Sequence, residues 1–231
     1  MKKIGLIGGL SWVSTAEYYR LINVITQEML GGVNSAHLIL ESVNRHEYVE
    51  AVIDQGDEES ACQIILSAAK ALEAGGAEFI VLSCNDAHRF VPYIEPHISI
   101  PFLHIAKATA AAINKVNFKT VALLGVRKTM EEAFYPEILK QHGIETIIPN
   151  DLERTYIHDS IYDELVKNAF NNTTREKYKN IIVDLQSRGA EGAILGCTEI
   201  PLLLSDEDVD VPTFSTTAIH CRAAVELAMA R

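Results

Sequence analysis

Two cysteines stand at the ends of two matching stretches of this chain. Cys84 belongs to GAEFIVLSCND and Cys197 to GAEGAILGCTE, and each follows the glutamate of its stretch by six residues. A helix beginning after such a strand tip would lower the thiol pKa from its usual value of about 8.5. Each thiol is then a credible proton acceptor. Two such thiols on opposite sides of one carbon atom could remove a proton from one face and return a proton to the other, which inverts a stereocentre.

Packing is the alternative role for any of the four cysteines. A lone cysteine at a strand tip is often a small buried apolar residue. The symmetry of the two stretches favours chemistry for Cys84 and Cys197, whereas Cys62 and Cys221 lie inside amphipathic helical segments, where packing explains them better. The chain has no CxxC spacing and no His/Glu pair at metal-ligand spacing. The sequence therefore predicts no bound metal and no dithiol redox motif.

The matching extends beyond the cysteines. IGLIGGLSWVSTAEYYRLI begins at Ile4 and VALLGVRKTMEEAFYPEIL at Val121, 80 and 76 residues before the respective cysteines. After each cysteine comes a further matched piece, ISIPFLHIAKATAAAI and VDVPTFSTTAIHCRAAV. This order of landmarks predicts the duplication of a whole domain, since the period is too long for a solenoid. The alternative is that any two α/β units share apolar strands and glycine turns.

Short apolar runs alternate with longer amphipathic stretches, which is typical of parallel sheets flanked by helices. We predict an α/β fold with two pseudo-symmetric parallel-sheet domains and an active site in the cleft between them. The first domain is predicted to comprise residues 1–103 plus 213–231, and the second residues 104–212. The predicted strands lie near residues 3–8, 36–42, 78–84, 99–103, 119–125, 144–148, 191–197 and 211–214. Gly8, Cys84, Gly125 and Cys197 then lie at carboxyl ends of strands, where open α/β sheets bind ligands.

Composition narrows the possible partners. The 231 residues are 48% hydrophobic and carry a formal net charge of −11. This negative charge disfavours nucleic acid and anionic membrane surfaces as partners, and no apolar run reaches the roughly 18 residues of a membrane span. The N-terminal segment has no signal-peptide cleavage pattern. The simplest compartment is the cytoplasm, where the cysteines stay reduced.

Four segments of the chain resemble one known family. IGLIGGLSWVSTAEYY, SCNDAH, LLGVRKTM and GCTEIPLLL are similar to the aspartate/glutamate racemases, which are cofactor-independent amino-acid racemases. The resemblance covers essentially the full length and implies two-base racemisation, commonly by homodimers. It assigns the two catalytic roles to Cys84 and Cys197. It also places Gly8, Ser11, Asn85 and Thr198 at substrate contacts, and the substrate would be a small-molecule amino acid.

Three positions depart from that family pattern. Asp86 stands where a Thr that helps to hold a carboxylate is usual, Val126 where a small polar residue is common, and Tyr156 where relatives can carry a Lys. A carboxylate at position 86 would repel an anionic substrate and would raise the pKa of Cys84. We therefore hypothesise a substrate other than aspartate, for example a neutral or basic amino acid. The alternative is that Asp86 is a helix cap that points away from the substrate.

The substrate α-carboxylate still needs positive charge or N–H donors. Arg45 after the second strand is the best candidate, Arg127 is the second, and a solvated surface charge is the alternative for both. Backbone N–H groups at strand ends could bind the anion instead. Thr129 and Glu199 complete the predicted substrate-binding residues, although Glu199 could equally modulate the pKa of Cys197 or complement a helix dipole.

Three functions remain open at this point. The first is amino-acid racemisation or epimerisation by two thiols. The second is another isomerase or a decarboxylase on the same fold, and the third is an amino-acid-binding homologue whose catalysis is impaired by Asp86. Exchange of the α-proton with deuterated water separates the racemase from the binding protein.

Overall fold

The computed structural model describes residues 1–230 and divides them into two compact units. The first unit comprises Met1–His104 and the C-terminal segment from His220, and the second comprises Ile105–Ile219. The sequence-based division returned the chain to the first unit at residue 213. In the structure, residues 213–219 instead belong to the second unit, because residues 213–215 form a strand of its sheet.

The first unit is a three-stranded parallel sheet covered by helices on both faces. Its strands are β1 (Ile4–Gly8), β2 (Leu38–Ser42) and β3 (Phe79–Leu82), in the order β2-β1-β3. Its helices are α1 (Trp12–Leu30), α2 (Arg45–Val49), α3 (Glu58–Ala74) and α4 (Val91–Ile94), with a π-helical turn at Glu50–Gln55 and 3-10 turns at Asp86–Phe90 and Glu95–His97.

Alternate residues of β1 point to opposite faces of this sheet, as expected for a strand. Ile4 and Leu6 pack with Tyr18 and Ile22 of α1, and Ile7 packs with Ile65 of α3. Both faces of β1 are therefore buried, and this explains why β1 and β3 carry no polar side chain, whereas the edge strand β2 ends in Glu41 and Ser42 and is partly exposed.

The predicted fourth strand of the first unit, near residues 99–103, is reduced to a single bridge. Phe102 pairs with Ile80, and Ile80 exchanges backbone hydrogen bonds with Pro101 and Leu103 at 2.9 and 2.8 Å. Proline 101 has no N–H to donate, and this limits how far a ladder can extend. The segment occupies the position of a fourth strand without becoming one.

The second unit has a four-stranded parallel sheet in the order β5-β4-β6-β7. The strands are β4 (Thr120–Leu124), β5 (Glu145–Ile147), β6 (Ala193–Leu195) and β7 (Thr213–Ser215). The helices are α5 (Ile105–Lys115), α6 (Arg127–Glu131), α7 (Phe134–Gln141), α8 (Asp151–Asp163), α9 (Asn172–Ser187) and α10 (Ile200–Leu203), with 3-10 turns at Leu165–Lys167 and Asp206–Asp208. The last helix, α11 (Thr216–Met229), begins in the second unit and belongs from His220 onward to the first, where Cys221 and Val225 pack with Ile4 and Leu6 of β1.

The second sheet is also buried on both faces. Leu124 and Leu195 pack with Tyr178 of α9, whereas Leu123 and Ile194 pack with Leu139 of α7. Full burial of one such aliphatic side chain contributes about 1.5–3 kcal/mol. The predicted pair of parallel-sheet α/β domains is confirmed. Of the helices within residues 1–230, none combines the length and apolar character needed to cross a membrane.

Candidate active site

The first-unit cysteine lies on the loop that leaves β3 at its carboxyl end. The backbone N–H and the hydroxyl of Ser83 both donate to the carbonyl oxygen of Ile7 at 3.0 Å, so the loop stays attached to β1 up to the residue before Cys84. The Nδ1 atom of His88 lies 2.7 Å from the carbonyl oxygen of Cys84. Cys84 itself is half-buried and forms no disulfide.

The loop after β1 is held against this cysteine loop. Gly9 has a φ of +87°, and a Cβ at that position would lie 2.0 Å from the carbonyl oxygen of Val43, so only glycine fits there. Ser11 caps α1 by accepting from the N–H of Ser14 at 3.4 Å. The hydroxyl of Ser14 in turn lies 3.5 Å from the carbonyl oxygen of Ser83. Gly8 and Ser11 are therefore near the start of the Cys84 loop.

Arg45 joins the same edge of the first sheet. It begins α2, directly after β2, and its Nη1 donates to the carbonyl oxygen of Leu10 at 2.5 Å. This bond places the guanidinium beside the loop that carries Ser11. The three loops that follow β1, β2 and β3 thus bring Ser11, Arg45 and Cys84 to one sheet edge, as predicted from the parallel topology.

Asp86 is paired with a cation that the sequence analysis did not identify. It is buried, with Oδ2 at 2.5 Å from Nη1 of Arg89 and at 3.3 Å from the hydroxyl of Tyr48. Arg89 is buried as well and pairs with Glu58 at 2.9 Å. The premise that Asp86 repels an anionic substrate was therefore wrong, because the adjacent guanidinium compensates its charge.

The buried charges keep this network in one protonation state. Burial alone would lower the pKa of Arg89, but the charges of Asp86, Tyr48 and Glu58 outweigh burial and raise it. Burial, aided by the charge of Asp86, raises the pKa of Tyr48 well above its ordinary value, so its hydroxyl remains a donor. Sequence reasoning missed Arg89, although its i,i+3 spacing from Asp86 in DAHR was a usable signal.

The second-unit cysteine lies on the equivalent loop after β6. The N–H of Gly196 donates to the carbonyl oxygen of Leu124 at 2.7 Å. A Cβ on Gly196 would lie 2.6 Å from that oxygen, and a Cβ on Gly125 would lie 2.9 Å from the carbonyl oxygen of Gly196. The two loops therefore touch backbone to backbone, and both glycines are needed for this approach. Cys197 follows directly and is half-buried.

The thiol of Cys197 is hydrogen-bonded to an acid. Its Sγ donates to Oε2 of Glu199 at 3.0 Å, and the hydroxyl of Thr198 donates to the same oxygen at 3.0 Å. Glu199 is 2% exposed. Glu199 was predicted as a substrate contact; in the structure its carboxylate binds the thiol, in line with the alternative that it tunes Cys197.

The short helices after both cysteines correct another expectation. The residue types after the cysteines predict N-caps at Asn85 or Asp86 and at Thr198. In the structure, Asn85 precedes a five-residue 3-10 turn without a side-chain cap, and the N-cap of the four-residue α10 is Glu199. Such short segments align few peptide dipoles. Helix dipoles therefore give little reason for a lowered thiol pKa at either cysteine.

The remaining predicted residues of the second unit divide into two groups. Val126 is the N-cap of α6, and Thr129 is buried in that helix with its methyl group toward Gly196, so both adjoin the cysteine loop. Tyr156 lies on α8, and its hydroxyl donates to Thr174 at 3.4 Å. Tyr156 and Cys197 both pack against the core cluster that contains Tyr178.

Arg127 is already engaged by other side chains. Its guanidinium contacts Glu131 at 2.6 Å, Asp151 at 3.4 Å and Thr155 at 2.5 Å. These acidic partners make Arg127 a weak candidate for binding a substrate carboxylate. Across residues 1–230, no three His, Cys, Asp or Glu side chains are grouped so that they could hold a metal ion.

Comparison with known proteins relates this geometry to one family. Residues 7–224 match the model of the family described as Asp/Glu/Hydantoin racemase. A broad specificity amino-acid racemase of Bacillus subtilis (strain 168) is 26% identical over 230 residues, covering 98% of each chain.

Solved structures with the same fold cover the whole chain. A crystal structure of an Asp/Glu racemase candidate from Yersinia pestis is 44% identical, with a TM-score of 0.92 and 100% of both chains covered. An aspartate racemase homologue from Pyrococcus horikoshii OT3 is 35% identical, with a TM-score of 0.86 and 100% of both chains covered.

Proposed function

This chain belongs to the Asp/Glu/Hydantoin racemase family, and on that premise we propose that it racemises an amino acid with Cys84 and Cys197 as opposing acid and base. The reaction requires no cofactor, because a thiolate and a thiol supply both proton transfers. The observation that carries the proposal is the matched placement of the two thiols. Each is half-buried on a loop at the carboxyl end of a strand: Cys84 follows β3, which pairs with β1, and Cys197 follows β6, which pairs with β4.

The proposed chemistry is a proton removal followed by a proton return. One cysteine thiolate takes the α-proton, and the electron pair of the broken C–H bond moves toward the substrate carboxylate. The thiol of the other cysteine then gives its proton to the opposite face of the same carbon. Fixed donors must stabilise the developing negative charge, because the α-proton is only weakly acidic. Each thiol ends in the protonation state in which the other began, so the reverse reaction uses the same groups.

Residues of the first unit would bind the α-carboxylate. Arg45 lies beside the loop of Gly8 and Ser11, where its Nη1 donates to the carbonyl oxygen of Leu10, and its positive charge suits a carboxylate. Asn85 and Thr198, each directly after a catalytic cysteine, are proposed substrate contacts because of the family resemblance. Thr129 is a further proposed contact from the second unit, and its buried hydroxyl has no hydrogen-bond partner among the described residues.

We propose that the substrate side chain is not recognised as a carboxylate. Val126 offers an apolar side chain at the loop after β4, and Arg127 is already paired with acidic residues. The relative from Bacillus subtilis is described as having broad specificity. These observations favour neutral or basic amino acids over aspartate and glutamate, independently of the discarded argument from Asp86.

An α-proton exchange panel tests the proposal. The protein is incubated in deuterated water with each common amino acid in both enantiomers, and deuterium at Cα and optical rotation are followed. We expect exchange with inversion for neutral or basic substrates and a loss of at least about 100-fold in Cys84→Ala and Cys197→Ala. Cys62→Ala is the matched control and should retain activity. An absence of exchange with every amino acid would reject the racemase, and preferential turnover of aspartate or glutamate would reject the substrate assignment.

The family resemblance also implies a homodimer, and the four cysteines favour the cytoplasm, where thiols stay reduced; we include both in the proposal. Sedimentation velocity over a range of protein concentrations measures the assembly. A species of twice the 25.5 kDa chain mass is expected.

A further inference from the structure

An acidic residue stands two positions after each thiol, and the two acids have different partners. Asp86, after Cys84, is bound by the guanidinium of Arg89 and by the hydroxyl of Tyr48. Glu199, after Cys197, accepts hydrogen bonds from the thiol of Cys197 and from the hydroxyl of Thr198. The first acid is therefore bound by a cation and the second by the thiol itself.

The backbone of the second loop holds Glu199 in this position. The N–H of Ile200 donates to the carbonyl oxygen of Cys197 at 3.1 Å, which turns the chain back toward the cysteine. The N–H of Leu202 donates to the carbonyl oxygen of Glu199 at 3.0 Å, so residue 199 is fixed by α10. The carboxylate is buried, and its Oε1 has no hydrogen-bond partner among residues 1–230. Because water is excluded, the bond from the thiol is stronger than it would be at the surface.

We propose that Glu199 is a positioning residue that holds Cys197 as the proton-bearing thiol, so that Cys197 starts the proposed reaction as the acid and Cys84 as the base. The inference rests on the proposed function for these roles. Its physical basis is local: an S–H donor is stabilised by the carboxylate, whereas a thiolate 3.0 Å from that carboxylate would meet a second negative charge. In the first loop, Arg89 already compensates the charge of Asp86.

The proton count is balanced in this arrangement. The Cys84 thiolate removes the α-proton and becomes a thiol, and Cys197 gives its S–H proton to the opposite face of the carbanion. Cys197 is left as a thiolate beside Glu199. That thiolate is a strong base, and it either removes the α-proton of the product enantiomer or takes a proton from solvent while Cys84 releases one.

The pH dependence of thiol alkylation tests this role without any substrate. The intact protein is treated with iodoacetamide at a series of pH values, and the modification of each cysteine is followed by peptide mass spectrometry. In Glu199→Gln, we expect the pH of half-maximal alkylation of Cys197 to fall by about one unit, whereas that of Cys84 shifts much less. Glu207→Gln removes one exposed charge from the same unit and should shift neither cysteine.

A second variant separates a local effect of the carboxylate from a loss of the native fold. Glu199→Asp keeps the charge but withdraws it from the sulfur, and it should lower the Cys197 midpoint by a smaller amount. An unchanged Cys197 midpoint in a variant that retains the native circular dichroism spectrum overturns the inference, as does an equal shift of Cys84 and Cys197. Failure of the proposed function appears separately, as absent α-proton exchange by the wild-type protein.

Discussion

The two units use the same sheet topology to present a cysteine, yet they stabilise the loop around it differently. In the first unit, β3 leads to a loop whose buried acid belongs to an ion-pair network of Asp86, Arg89 and Glu58. In the second, β6 leads to a loop held by glycine backbone contacts, and the buried acid binds the cysteine. Corresponding loops of the two sheets therefore differ in electrostatics, and each thiol has to be interpreted from its own neighbours.

The largest effect on stability should come from the buried arginine of the first unit. Arg89→Met leaves Asp86 buried without its cation, and we expect the free energy of unfolding to fall by about 3–5 kcal/mol. The matched change in the second unit is Arg127→Met. The side chain of Arg127 is about a third exposed, so its loss should lower the free energy of unfolding by at most about 1 kcal/mol. Urea denaturation followed by circular dichroism measures both.

A double variant checks the cause of that loss. Asp86→Asn combined with Arg89→Met removes both charges and should recover most of the stability. Equal losses for the two arginine variants would show that the charge network does not distinguish the units.

Particular residues show which parts of the fold and of the candidate site could be predicted from the sequence. Both sheets, and the strand-end positions of Cys84 and Cys197, followed from apolar runs and glycine turns, which are local signals. The charge network around Asp86 could not be predicted in full, because Tyr48 contacts Asp86, and Glu58 contacts Arg89, from other segments of the chain. The predicted strand near residues 99–103 failed because periodicity does not report how many ladder hydrogen bonds a segment can form.

Acid should destabilise the first unit through a buried histidine pair. Burial lowers the pKa of His220 from 6.5 to about 4. Burial, together with the nearby His104 and His220, also lowers the pKa of His88 well below its ordinary value. Between pH 6.5 and about 4 the unfolded chain binds protons that the folded chain excludes, so stability falls as the pH falls through this window. His220 alone should account for about 3 kcal/mol of the loss in unfolding free energy across this window.

Denaturation at pH 7 and at pH 4.5 measures this loss. His220→Gln should flatten the pH dependence, even though the loss of its 3.0 Å contact with Tyr18 lowers stability at both pH values. His142→Gln, at an exposed site of the second unit, should leave the slope unchanged. An unaltered slope in His220→Gln would contradict the assignment.

The smallest predicted effect comes from removing a helix cap, and it tests whether the two units unfold together. Asn150 caps α8 of the second unit through a capping box, and Asn150→Ala should cost about 1 kcal/mol. Asp57 caps α3 of the first unit by accepting from the N–H of Ser60 at 3.0 Å, and Asp57→Ala is the matched variant. If the units unfold separately, calorimetry should show each variant moving one transition and leaving the other in place. If both variants move a single common transition, the units are thermodynamically coupled.

The contact between Asp86 and Arg89 has a consequence for protein engineering. A designer who installs threonine at position 86, to restore the residue usual in the family, would remove the buried carboxylate that pairs with Arg89 and leave its guanidinium with the partly exposed Glu58. The exchange would have to be made at both sites, with an uncharged side chain of similar volume replacing the arginine. Libraries that vary position 86 alone should yield mostly unstable proteins, whereas libraries that vary the pair can sample new specificities.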